Sequence, residues 1–593
     1  MRNELFKNIP SKVGDLVKDV RNGRIGLPDL QRPFVWKDNK VRELFDSMLK
    51  GYPIGYIMLW ESPADYESKK NTIGDNSKTY EEPKELVIDG QQRLTALVAS
   101  MFDVKVKDKN FADREIKISY NPLTREFAVW SQAYEKDTEW ISRISDVFLA
   151  KEDNSISSLR RHFIKEANEG RSKKELPLLT DEEEDRIEDN INALLNLSDY
   201  SLPTLEISYT ADEEDVADIF VRVNSGGQSL TENNFIQTLI SVYENETSNK
   251  INAFAAASRV PAANTSYNTL LAIEPSHLIR MAVGVGFKRA RLRYAYMLLR
   301  GKNLETGKFS DEVRHENLQI FKDALDKVMN LNNWHSFINI VAEAGYISDK
   351  LIASSNAIVF SYVLYLIAKY DYKLDAAQLK KCTSKWFFMS TITYFYTGST
   401  ESEVEKQFAD LRDVHTAAEF IAYIDRVIET HFTDDYFSLT LPNELNSAAA
   451  ISPAWYGYVA AQIVLNTPML FSNTPVSKYF ILGSSGTKNA IDKHHIFPKN
   501  YLTGIGLTSD RDRNQIANFT YLDYATNIEI SDKAPQDYVS HYRQKLGEDG
   551  YYKACKEHAL PENFEHMEYA DFLSQRRLLM AQIIRKAYEQ LCE

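Results

Sequence analysis

Apolar residues at Val41, Leu44, Phe45, Met48 and Leu49 repeat at i, i+3, i+4, i+7 and i+8, the stripe of one buried helix face. Asp38 is placed to cap that helix, and Gly51 with Pro53 to stop it. The pattern then changes. YIMLW (56–60) and ELVI (85–88) are short β-rich runs on either side of a polar segment that reads as a loop. ELVI leads through Asp89 and Gly90 into QQRLTALVASMF, a helical pattern. Further strands are expected at 115–120, 126–130 and 205–208, around a charged helical stretch at 134–198. Residues 231–470 read as almost wholly helical and show no repeat. Beyond 471 come Gly/Ser turns, short strands and a helical tail. The expected fold is α+β and multidomain: an α/β domain over 1–235, a largely helical middle over 236–475, and a C-terminal domain over 476–593.

Composition changes this picture little. The chain has 593 residues, enough for several domains with real cores. Its three cysteines lie far apart and form no CxxC, which argues against a disulfide framework and a thiolate zinc site. No secretory signal is read at the N-terminus, and the most apolar stretch, 357–368, is too short for ~30 Å of hydrocarbon. A buried helix is expected there, and a cytoplasmic protein without a membrane partner. The formal charge of −14 argues against bulk nucleic-acid binding, because phosphates are held by Lys and Arg. Part of the acid excess, however, lies in runs such as 181–190, away from the candidate chemistry. The segment 484–545 carries eight Lys/Arg against seven Asp/Glu.

That segment holds the sharpest chemical pattern, DKHHIFPKNYL (492–502) followed by NQIANFTYLDYATNIEI (514–530). A hairpin carrying His494 and His495, a loop holding an Asn and a helix delivering a last ligand would together hold one divalent cation. Adjacent residues on a strand point to opposite faces, so one His can ligate metal while the other meets substrate. A neutral imidazole can take a proton from water near pH 7, and a metal can stabilise charge on a scissile phosphate.

The second pattern is LVIDGQQRLTALVASMF (86–102), a strand ending in Asp-Gly before a helix. The helix N-terminus offers N–H groups to an anion. Asp89 could orient a hydroxyl or hold a metal, Gly90 admits a close phosphate, and Arg93 could fork onto phosphate oxygens. Gln31 and Arg32 in LPDLQRPFVW are as consistent with local backbone partners as with a ligand. Arg222, Asn224 and the Gly226-Gly227 pair in IFVRVNSGGQSL admit a salt bridge and turn cap, or a site. No GxxxxGK followed by Ser or Thr occurs, so a nucleotide site here is not a P-loop. The basic run KRARLRYAYMLLRGK (288–302) is the middle domain's candidate phosphate-tracking surface, or a solvated helix face. WFFMSTITYFYTG (386–398) reads as helix core.

The His-pair segment resembles the HNH (ββα-metal) nucleases. By that resemblance His495 is the general base, His494 a metal ligand, Asn518 the brace of the loop carrying the base and Asn527 the second protein ligand. Asn514 competes for the bracing role, since the step from His495 to Asn518 is longer than in compact members. LPDLQRPFVW, DGQQRLTAL and the RxN-GG segment together resemble the ParB/sulfiredoxin-like N-terminal domain of modification-dependent restriction proteins such as GmrSD, BrxU and SspE. The resemblance implies nucleotide handling by Asp89, Gly90, Gln91, Gln92 and Arg93, with Gln31, Arg32, Arg222 and Asn224 around them. The expectation is an NTP-dependent (GTP, UTP or ATP), Mg²⁺- or Mn²⁺-dependent endonuclease. Its substrate would be modified phage DNA in antiphage defence, and a homo-oligomer is among the expected assemblies. The alternatives are a nucleotide-responsive DNA-binding module without turnover, or a toxin-like nuclease acting on unmodified nucleic acid.

Overall fold

A computed structural model describes residues 5–26, 34–61, 85–108, 112–211, 213–224, 236, 240, 244–299, 301–302, 306, 310–449, 451–481 and 491–593. Gln31, Arg32 and the Gly226-Gly227 pair lie outside these residues. The fold is α+β and mostly helical. The chain divides into two compact units, 1–256 and 257–593.

The first unit is organised by a five-stranded mixed sheet. In chain order its elements are β1 (Phe6–Lys12), α1 (Val13–Arg21), β2 (Ile25–Gly26), α2 (Asp38–Leu49), β3 (Ile57–Glu61), β4 (Glu85–Asp89), α3 (Gln91–Phe102), β5 (Ser201–Ile207) and α4 (Glu213–Asn224). The strands lie in the order β1-β5-β3-β4-β2. Pairing is parallel between β3 and β5 and between β2 and β4, and antiparallel elsewhere. The period of two along β3 and β4 divides the core between the sheet's faces. Ile57, Leu59 and Val87 join the large cluster with Val17, Phe45 and Leu97 of α1, α2 and α3. Met58, Trp60 and Leu86 join Val216 and Phe220 of α4. Each such side chain contributes roughly 1.5–3 kcal/mol on burial.

The expected helix carrying Val41 to Leu49 and the β-rich runs are present, though Asp38 does not cap the helix but lies in its first turn and pairs with Arg114. The expected strands at 115–120 and 126–130 form a hairpin, Ile118–Asn121 with Glu126–Val129. The acidic run 181–190 opens a helix, Asp181–Leu195, where Thr180 and Glu183 make a capping box and four acids sit on the first turn. Carboxylates there are favoured by the helix dipole. β1 and α1 were not expected. β1 is largely exposed, with Pro10 opposite Pro203 on an edge strand, so it has no apolar alternation to read.

The second unit is a helical assembly that carries a small hairpin. The apolar stretch 357–368 is buried throughout in α5 (Ser355–Tyr370). Trp386, Phe387 and Phe388 are buried core in α6 (Ala376–Ile392). α6 packs against α7 (Pro453–Val464) and the C-terminal helix α10 (Tyr569–Cys592). In the basic run, Lys288 pairs with Asp371 at 2.6 Å and Arg289 with Glu405 at 3.3 Å, so these charges serve intrachain contacts. The hairpin is β6 (Ile491–His495) with β7 (Phe519–Asp523), antiparallel, followed by α8 (Tyr524–Ile530) and α9 (Pro535–Glu557). No helix among the described residues is long and apolar enough to cross a membrane.

Candidate functional site

The C-terminal site is a strand, a 23-residue connection, a second strand and a short helix. His494 and His495 are the last two residues of β6, opposite Thr520 and Phe519. α8 starts where Asp523 caps it, the carboxylate accepting from Thr526 N–H. That start sets Asn527 one turn into the helix, beside His494. A cleft of about 630 Å³ collects His494, His495, Asn527, Lys499, Asn500 and Asp532. Strict strand alternation would send the two imidazoles to opposite faces. Both line one cleft, at the end of the strand, where the chain leaves β6 through Pro498.

Each polar residue of the site has a distinct task. His494 hydrogen-bonds Asn527, and burial pushes its pKa down to about 4, so it is neutral at ordinary pH. Its Nε2 is buried without a hydrogen-bond partner. Buried polar atoms are nearly always paired, so this exception needs an explanation, and a bound ion is one. The Asn residues divide two roles that the sequence left in competition. Asn518, fully buried, accepts from Phe497 N–H at 2.8 Å and donates to Phe497 C=O at 3.0 Å, clamping the chain two residues after His495. Asn514 Oδ1 lies 3.1 Å from His495 Nε2, so it orients the imidazole itself. Among the described residues no group of three or more His, Cys, Asp or Glu could hold a metal. A cation at this cleft would therefore take His494 and Asn527 as protein donors and leave positions open for substrate oxygens.

Buried groups that sequence reasoning missed hold this loop from behind. Arg576 of α10 is fully buried and donates to Ala517 C=O at 2.6 Å, next to Asn518. Tyr538 of α9 donates to Ile496 C=O at 2.8 Å. His558, pushed down to about 4 by burial, sits 3.1 Å from the Thr520 hydroxyl and 2.8 Å from Pro468 C=O. Nothing in the sequence signals them, because an Arg or Tyr on a long helix reads as an ordinary face until the hairpin docks on it.

The N-terminal pattern takes a different form. Gly90 has φ +87°, and a Cβ there would stand 2.5 Å from Ile57 Cδ1 and 3.0 Å from Tyr56 C=O. Arg93 is held down by Tyr56 C=O, to which it donates at 2.6 Å, and burial lowers its pKa. Gln92 Oε1 accepts from Val35 N–H at 2.9 Å, which fastens DGQQRLTAL to the segment that follows Gln31 and Arg32. Two motifs far apart in sequence thus meet in space. Asp89 ends β4 beside Arg93, and Gln91 is the first residue of α3. Arg222 is exposed in the last turn of α4, and Asn224 ends that helix.

Residues 13–241 match the GmrSD restriction endonuclease, N-terminal domain. The match supports a GmrSD-like restriction endonuclease family. It covers four of the five strands of the mixed sheet, the Gly90 turn and α4. Over 556 residues the chain is also 25% identical to the uncharacterized protein MJ0686 of Methanocaldococcus jannaschii, spanning 88% of this chain and 85% of that protein. The similarity to that protein therefore extends through both units.

Proposed function

We propose that this protein is a metal-dependent DNA endonuclease of the restriction type, cutting through the His494–His495–Asn527 cleft. The observation that carries the reading is the buried, partnerless Nε2 of His494 beside Asn527, in the same cleft as an imidazole oriented by Asn514. The GmrSD-like N-terminal match supports DNA as the partner. His494 and Asn527 would hold Mg²⁺ or Mn²⁺, which supplies charge stabilisation for the scissile phosphate and leaving oxygen. His495 takes the proton from the attacking water. Asn514 fixes the ring for that transfer, and Asn518 fixes the backbone on which the ring sits. The N-terminal unit would sense modified phage DNA and handle an NTP through Asp89, Gly90 and Arg93, coupling cleavage to recognition in antiphage defence.

The test is cleavage of genomic DNA from phages with different base chemistries, with Mg²⁺ or Mn²⁺ and each NTP. Wild type should cut at least one, and His495→Ala should lose cutting by about 10²–10⁴-fold, the contribution of a general base. Equal cutting by the two proteins would refute the assignment. Asp89→Ala and Arg93→Ala should each remove NTP turnover; hydrolysis unchanged in both would refute the nucleotide role.

A further inference from the structure

A second cleft, of about 550 Å³, has Asn514 in its lining. Its walls are the turn after the helix Leu441–Glu444 and the turn Asp510–Gln515, joined by Ile516 N–H donating to Ser447 C=O at 2.8 Å. Its polar side chains are Asn446, Ser447, Asp510, Arg511, Asn514 and Gln515. Most of them have one end tied to the protein and the other end available.

Asn446 Oδ1 accepts from Arg577 at 3.0 Å, which leaves its amide NH2 as a donor. Asn514 Oδ1 faces His495 Nε2, which leaves a second NH2. Gln515 is the reverse: its Nε2 donates to Arg511 C=O at 2.9 Å, and its Oε1 is buried without a partner. Gln515 is 9% exposed, so this acceptor has been taken out of water and given nothing in return. Asp510, the carboxylate of the cleft, is paired with Arg513 at 2.8 Å, which leaves the exposed Arg511 guanidinium without a carboxylate there.

A ligand that satisfies this set needs an anion for Arg511, acceptors for two amide NH2 groups and a donor for Gln515 Oε1. Sulfate or chloride lacks the donor, hydrogenphosphate is too small to reach both carboxamides and the guanidinium at once, and an apolar molecule lacks everything. A nucleotide has all three, because carboxamides pair with base edges and guanidinium with phosphate. The volume lies in the range that holds a small ligand. We propose that this cleft is a nucleotide subsite of the nuclease, seating the phosphate and an amine-bearing base of a nucleotide that flanks the scissile bond. The proposal rests on the endonuclease reading above. Asn514 forms one wall of the subsite and also orients His495, so a seated nucleotide and the general base share one side chain.

The experiment reads binding rather than cutting, so the two ideas fail separately. A fluorescein-labelled 30-base-pair duplex is titrated with full-length protein carrying His495→Ala, from 20 to 200 mM salt. Adding Arg511→Ala should raise Kd about tenfold at low salt and reduce the slope of log K against log salt by about one. Gln515→Met, which keeps the side chain's length without its acceptor, should raise Kd several-fold and leave the slope unchanged. Unchanged Kd in Arg511→Ala and in the exposed Asn446→Ala would overturn the subsite, as would absence of binding by the parent protein at 20 mM salt. If these binding changes appear while no DNA is cut by wild type under any condition, the nuclease reading fails and the subsite survives.

Discussion

The two motif-bearing regions begin alike in sequence, each a strand running into polar residues and a helix, and they end as opposites. At the Gly90 turn the polar groups close on the protein itself: Gln92 on Val35, Arg93 on Tyr56, and the space over Gly90 filled by Ile57. At the His494 cleft both ends of the Asn518 amide are satisfied and His494 Nε2 is not. Unused hydrogen-bonding capacity at His494 marks that cleft as a place built to hold something else, while at the other motif Gln92 and Arg93 fix the turn on which Asp89 and Gly90 would meet a nucleotide.

The contrast can be broken by substitution. Asn518→Ala strips two hydrogen bonds from Phe497 and leaves a buried N–H and C=O unpaired, at roughly 1–3 kcal/mol each. It should lower stability by about 3 kcal/mol in denaturant unfolding and remove cleavage with it; full stability would mean that the clamp is not needed. Gly90→Ala forces a side chain into φ +87° against Ile57 and should cost about 2 kcal/mol. An unaltered unfolding midpoint would contradict the tight turn described here. Gln92→Ala removes one bond to the backbone and should cost about 1 kcal/mol. A loss confined to nucleotide turnover, with stability intact, would move Gln92 from brace to ligand.

The smallest effect concerns the sheet. Burial first, and then the hydrogen bond with Glu61, raises the Glu206 pKa to about 7, while Glu61 is held below its ordinary value. A folded carboxyl that binds its proton more tightly than the unfolded one stabilises at acid pH and loses that contribution as pH rises towards 7. Glu206→Gln should therefore flatten the fall in Tm between about pH 4.5 and 7 and equal or exceed wild type at pH 8. A variant that keeps the wild-type slope would assign it to other groups.

Much of this was legible in sequence where burial has a period. The helix at 38–49 shows its stripe because one face meets the core, and the runs 56–60 and 85–88 read as continuous apolar strands because both faces are covered. β1 was not legible, since an exposed edge strand selects no apolar pattern. The hairpin and following helix expected around the His pair and Asn527 are the elements found there, whereas Asp523, which caps that helix, was not singled out. The tasks of Asn514 and Asn518 were not legible, because only the docked loop shows which amide reaches the ring and which the backbone. Arg576, Tyr538, Arg511 and Gln515 were silent for the same reason. Their meaning comes from helices and turns distant in sequence.

The central claim is that His494 Nε2 is kept unpaired for a cation. Calorimetric titration of the full-length protein with Mn²⁺ tests it without DNA or nucleotide. The account predicts one site per chain in wild type and in His495→Ala, and loss of that site in His494→Ala and Asn527→Ala, with all four proteins folded. Equal Mn²⁺ binding by His494→Ala and wild type would contradict it.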